Sequence, residues 1–116
     1  MILQESGENY LETILMLQQQ NGSVRSIDIA THMNFTKASV SIAMKKLREN
    51  GYIAVDGEGN LTLLAPGREI AERIYGRHRL LTHFFMQLGV DEKTAAEDAC
   101  KAEHILSEQT LEKIRE

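Results

Sequence analysis

The chain has 116 residues, enough for one compact unit or two small subdomains sharing a core. Apolar residues make up 42% and charged residues 26%, an ordinary globular balance, and no run of about 18 apolar residues marks a membrane span. A single cysteine excludes an internal disulfide framework, and a net charge of −4 argues against a generic nucleic-acid binder.

Met1-Ile2-Leu3-Gln4-Glu5 has no basic region followed by a long apolar stretch, so no signal peptide is expected. A first helix is predicted from about Ser6 to Gln19, with Tyr10, Leu11, Ile14, Leu15 and Leu17 at helical spacing. Asn21-Gly22 ends it. Ser26 is the expected cap of a short helix to Met33, with Ile27, Ile29 and Ala30 inward. Asn34-Phe35 forms a tight turn, and Thr36 caps a helix over 37–50 with Val40, Ala43, Met44 and Leu47 buried.

The period then changes. Tyr52–Val55 and Leu61–Leu64 alternate like strands around the turn residues Asp56-Gly57-Glu58-Gly59-Asn60, which predicts a β-hairpin. Pro66 suits the first turn of a long helix near 66–88, about 34 Å at 1.5 Å per residue. Gly76 inside it points to close packing. Asp91 caps a helix to about Leu106, and Ser107 caps a last one to the end. The fold class is therefore mainly α with a small β-hairpin.

Charge is distributed unevenly along this order. Between Ser23 and Arg48 five cations, Arg25, Lys37, Lys45, Lys46 and Arg48, meet one acid, Asp28. That segment carries +4 in a chain of −4, so the remainder carries −8. Helix, helix, tight turn, helix and hairpin is the order of a winged helix-turn-helix, whose second helix enters the major groove. Thr36, Lys37, Ala38, Ser39 and Ser41 open that helix; they are small or polar and let the backbone approach the groove. Lys45 lies one turn beyond Ser41. Arg25 and Lys46 are expected phosphate partners. The wing is acidic, with Asp56 and Glu58.

A second constellation lies near the C-terminus, in Cys100-Lys101-Ala102-Glu103-His104. Positions i, i+3 and i+4 of a helix converge, so a thiol, a carboxylate and an imidazole share one side. Ala95, Ala99, Ala102 and Leu106 form a small-residue stripe. Glu103, Cys100 and His104 lie about 80°, 140° and 180° round from Ala95, flanking that stripe. The plain alternative is a small buried thiol beside two solvated polar residues. A half-buried carboxylate beside that stripe needs a partner, which Asn9 and Glu12 on the first helix or His78 on the long helix could supply. His32 is expected in solvent, His83 in a structural or interface role, and Met33, Met44 and Met86 as core filler. Leu80, Leu81, Phe84, Phe85 and Leu88 exceed the needs of one helix face and suggest a dimer interface.

With these residues in place the chain resembles the diphtheria toxin repressor and manganese transport regulator family of metal-dependent repressors. The matching stretches are Glu8–Glu12, Val40-Ser41 with Lys45-Lys46-Leu47, Gly76–Leu81, and Gly89–Glu92 through Cys100–His104. The resemblance covers essentially the whole chain. It implies a winged helix-turn-helix over 1–70, then a helical metal-binding and dimerisation domain over 71–116, bridged by the long helix. It implies Glu12, His78, Cys100, Glu103, His104 and Asn9 as metal ligands. Glu12 matches the manganese branch, and Cys100 the iron branch and some manganese sensors. An ancillary site is not expected in its usual form, since Thr82 and Ala96 stand where an acid and a histidine would. The SH3-like domain of many members is absent, which fits a two-domain form or a shortened chain.

The expected function is that of a cytoplasmic, Fe²⁺-dependent repressor, a homodimer on palindromic double-stranded operator DNA, controlling metal homeostasis. A thiolate donor tilts the choice toward Fe²⁺ over Mn²⁺. The alternatives are a manganese-dependent repressor of the same kind and a winged-helix protein indifferent to metal. No enzymatic activity is expected, because no positioned base or substrate cleft is legible, and no membrane partner.

Overall fold

The computed structural model describes residues 5–115. The expectations for Met1–Gln4 and for a last helix reaching Glu116 lie outside the described residues. The elements are α1 (Glu5–Asn21), α2 (Ser26–Met33), α3 (Lys37–Glu49), β1 (Ile53–Val55), β2 (Leu61–Leu63), α4 (Ala65–Gln87), α5 (Glu92–Ala102) and α6 (Glu108–Arg115). The fold is mainly helical with one antiparallel hairpin, as the periodicities predict. Two compact units meet in sequence between Glu72 and Arg73.

In the first unit α1 buries Leu11, Ile14, Leu15 and Leu17 on one stripe. α2 adds Ile29 and Ala30, and α3 adds Val40, Met44 and Leu47. Ile27 departs from expectation and is exposed, at a surface hollow it shares with Lys37 and Ser41 of α3. The turn between α2 and α3 rests on Asn34, which sits in the left-handed region at φ 58°. Thr36 then caps α3, its Oγ1 accepting from Ser39 N–H at 3.1 Å. For α2 the cap is Arg25 rather than Ser26. Arg25 N–H donates to Asp28 Oδ2 at 2.8 Å, and Ser26 is already helical.

The hairpin pairs Ile53 with Leu63 and Val55 with Leu61. Ile53, Leu61 and Leu63 point inward. A third segment joins it, which the sequence pattern did not announce. Val24 is fully buried, Leu61 N–H donates to its carbonyl at 2.8 Å, and Arg25 bridges Asn60. The hairpin is thereby tied to the α1–α2 connection, which makes it a wing.

In the second unit Leu81, Ala99 and Leu111 form the core, with Leu80, Phe85, Ala102, Leu106 and Ile114 packed against it. Met86 and Leu88 are exposed, so Met86 is not core filler. Gly76 is not crowded either: a β-carbon there would meet nothing within 4 Å. Asp91 caps α5 through Thr94 N–H at 3.0 Å, and Ser107 caps α6 through Thr110 N–H at 3.2 Å. α5 stops at Ala102, four residues short of expectation, because the chain must turn before that second cap. Among the described residues no helix is long and apolar enough to cross a membrane.

Candidate metal centre and DNA-binding face

Three predicted ligands converge in the second unit. His78 comes from α4, while Glu103 and His104 occupy the turn that ends α5. Glu103 is fully buried, and its Oε2 lies 3.0 Å from His78 Nδ1. Its Oε1 lies 3.3 Å from His104 Nε2, and the His104 side chain is itself only 3% exposed. Oε1 has no partner in hydrogen-bond geometry, so the 3.3 Å approach is electrostatic proximity rather than a hydrogen bond.

An ionised carboxylate is costly to bury without compensating charge. Among the described residues, the cation-forming groups in ion-pair range of this one are the two imidazoles. Bonds of about 2.1 Å would place neighbouring donors about 3.0 Å apart in an octahedron and about 3.4 Å apart in a tetrahedron. The 3.0 Å from His78 Nδ1 to Glu103 Oε2 falls in that range and is equally a hydrogen-bond distance, while His104 approaches the other oxygen, Oε1, at 3.3 Å. The buried oxygen without a partner, the spacing and the N/O donor chemistry together fit a divalent transition metal.

Arg77 sets this turn. Its Nη1 donates to the Glu103 carbonyl at 3.1 Å, and its Nη2 pairs with Glu108 Oε1 on α6. Sequence reasoning passed over Arg77 because a lone arginine beside a histidine carries no spacing signal. Thr82 Oγ1 donates to the His78 carbonyl at 2.7 Å, which occupies the hydroxyl on α4's own backbone.

The remaining expected ligands lie on α5 and, in the first unit, on α1. Cys100 is on the last turn of α5 and exposed. Because α5 ends at Ala102, the thiol stays helical while Glu103 and His104 lie beyond the helix end. In the first unit Glu12 is buried on α1 and Asn9 half-buried one turn before it, with the Asn9 carbonyl accepting from Thr13 Oγ1 at 2.8 Å. His32 and His83 are exposed.

On the first unit Thr36, Lys37, Ala38, Ser39, Ser41, Lys45 and Lys46 are all exposed along α3. The Thr36 and Ser39 hydroxyls bond each other at 2.9 Å, which steadies the helix N-terminus. Ser26, Ile27, Lys37 and Ser41 line a surface hollow of about 160 Å³ between α2 and α3. Arg25 is exposed, and its guanidinium lies over Gly59 of the wing. The wing turn is braced by Asp56, whose carboxylate accepts from the backbone of Glu58 and Asn60 and from Asn60 Nδ2. These bonds, the Asn60 N–H foremost, hold the Asp56 carboxyl below its ordinary pKa.

A winged helix-turn-helix followed by a helical unit with a buried imidazole–carboxylate cluster defines a metal-responsive transcription regulator rather than an enzyme. Residues 2–61 match the DNA-binding domain of iron-dependent repressors, and residues 65–116 match the metal-binding and dimerisation domain of the same proteins. The chain belongs to this iron-dependent repressor family, which includes the diphtheria toxin and manganese transport regulators.

An uncharacterised HTH-type transcriptional regulator of Methanocaldococcus jannaschii is 36% identical over 115 residues, 97% of this chain and 92% of that protein. The HTH-type regulator MntR of Lysinibacillus sphaericus is 33% identical over 109 residues, covering 94% and 78%. A solved manganese-dependent transcriptional repressor in complex with manganese superposes with a TM-score of 0.84 at 27% identity over 93% of this chain. The chain spans half the length of that structure.

Proposed function

We propose that this chain is a cytoplasmic repressor that binds palindromic operator DNA as a homodimer when loaded with Fe²⁺, and so controls metal homeostasis. The observation that carries this reading is the fully buried Glu103 carboxylate between the imidazoles of His78 and His104. A divalent ion would supply the positive charge that this carboxylate lacks. His78, Glu103 and His104 would hold it, with Asn9, Glu12 and Cys100 completing the donor set. Residues 1–70 read DNA, through Thr36, Lys37, Ala38, Ser39, Ser41 and Lys45 at the groove and Arg25 and Lys46 at phosphates. Residues 71–116 sense metal and pair the subunits. Cys100 favours iron, since a thiolate is softer than the carboxylates around it.

A second reading, Mn²⁺ as effector, is favoured by the exposure of Cys100. Without the thiol the donor set is carboxylate, carbonyl and imidazole, which suits manganese. Binding of duplexes selected from a random pool, measured anaerobically with Fe²⁺, with Mn²⁺ and without metal, tests both. Metal-stimulated binding is expected, and Glu103→Gln and His104→Ala should abolish it while circular dichroism stays unchanged. Lys45→Ala should weaken DNA binding and spare metal uptake, and Glu12→Ala should weaken the response of DNA binding to metal. Undiminished metal stimulation in both the Glu103 and His104 variants would refute the assignment.

A further inference from the structure

Ile42 is 59% exposed in the middle of α3, among residues that are otherwise small, polar or cationic. Single exposed aliphatics are common on protein surfaces and by themselves mean little. The position of this one is what matters. At about 100° per residue, Ala38, Ser41, Ile42 and Lys45 fall within an arc of about 100°, opposite the buried Val40, Met44 and Leu47. Ser41 and Ile42 lie at the two edges of that arc, with Lys45, Ala38 and, near the helix end, Glu49 between them. Lys37, Lys45 and Lys46 surround it with positive charge. The match of residues 2–61 to a DNA-binding domain gives the face its partner.

We infer that Ile42 is a specificity-determining residue that reads the 5-methyl group of a thymine in the major groove. The inference rests on the proposed DNA-reading role of α3 and deepens it. The argument is one of exclusion by chemistry. An isoleucine offers no donor or acceptor, so set against guanine O6/N7, adenine N6/N7 or cytosine N4 it would strip water from a polar edge and return nothing. The thymine methyl is the one apolar group the major groove presents. Ile42 therefore favours an A·T pair with its thymine toward α3 and penalises the other pairs. Ser41 and Lys45 on the same face retain the hydrogen-bonding roles.

The test uses duplexes enriched from a random pool by the metal-loaded protein. Each thymine of the enriched sequence is replaced singly by deoxyuridine, which removes only the methyl. Wild-type protein should lose about 4-fold in affinity at one thymine position of each half-site, the scale of one buried methyl-sized group. Ile42→Ala should show no loss at that position while responding like wild type at the others. Circular dichroism of this surface variant reports its fold. Enrichment with no methyl-sensitive position, or equal sensitivity in Ile42→Ala, overturns the role of Ile42 and leaves DNA reading by α3 intact. Failure to enrich any duplex overturns that DNA reading itself.

Discussion

A β-carbon on Gly67 would overlap the backbone oxygen of Tyr52 and stand 3.0 Å from its carbonyl carbon and 3.4 Å from Leu11 Cδ2. The same Tyr52 oxygen accepts from Leu64 N–H at 3.0 Å, so it is fixed between the wing and the start of α4. Replacing a helical glycine by alanine ordinarily stabilises. Here the sign reverses: Gly67→Ala should cost about 1–3 kcal/mol through overpacking against rigid backbone. Gly76→Ala, in open space, should instead gain about 0.5–1 kcal/mol. Urea denaturation of the two variants checks the pair, and stabilisation by both would show that the start of α4 yields. The sequence pointed to the wrong glycine. Both sit in one helical pattern, but crowding at Gly67 comes from Tyr52, a neighbour in space that no local period reveals. The same limit hid Arg77, whose value lies in reaching the Glu103 carbonyl 26 residues away. The pairing of Glu103 with His104 was legible as a candidate because a carboxylate and an imidazole are adjacent in the sequence.

At the scale of elements, start signals were read more accurately than stops. Thr36, Asp91 and Ser107 each accept the backbone N–H three residues on, as a cap should. The end of α5 was misjudged because apolar spacing continues to Leu106, while the geometry of the next cap forces the turn at Glu103. The cap at Asp91 has a pH signature. The backbone N–H of Thr94, and then its hydroxyl, hold the Asp91 carboxyl below its ordinary value of 3.8. A depressed folded-state pKa contributes stability that is fully present above the unfolded value and lost as pH falls through the folded one. The stability difference between wild type and Asp91→Asn should therefore be constant from neutral pH down to about 4 and shrink below that. Denaturant melts at stepped pH measure it, and a difference that grows with acid would contradict the assignment. Asp56 in the wing has the same sign, from its bonds to Asn60 and Glu58.

For the whole molecule, the question is whether the two units communicate. One bears the exposed basic face of α3, and the other bears the buried carboxylate between two imidazoles. Glu12 lies in the first unit and His78, Glu103 and His104 in the second. An ion drawing donors from both would prefer one arrangement of the units, and DNA would prefer one arrangement of the α3 helices in a dimer. If those arrangements coincide, metal raises DNA affinity by a factor that DNA must return to metal. Couplings of this kind run from about 5- to about 150-fold. Titrating the metal into apo-protein with and without a selected duplex should therefore show metal affinity rising by the same factor that metal confers on DNA binding. Removing the ion with a chelator should return DNA affinity to its metal-free value. Glu12→Ala supplies the control, because losing the donor proposed for the first unit should bring the factor toward one. A factor of one in wild type would mean that the units act independently, and the metal would then be a structural ion rather than a signal.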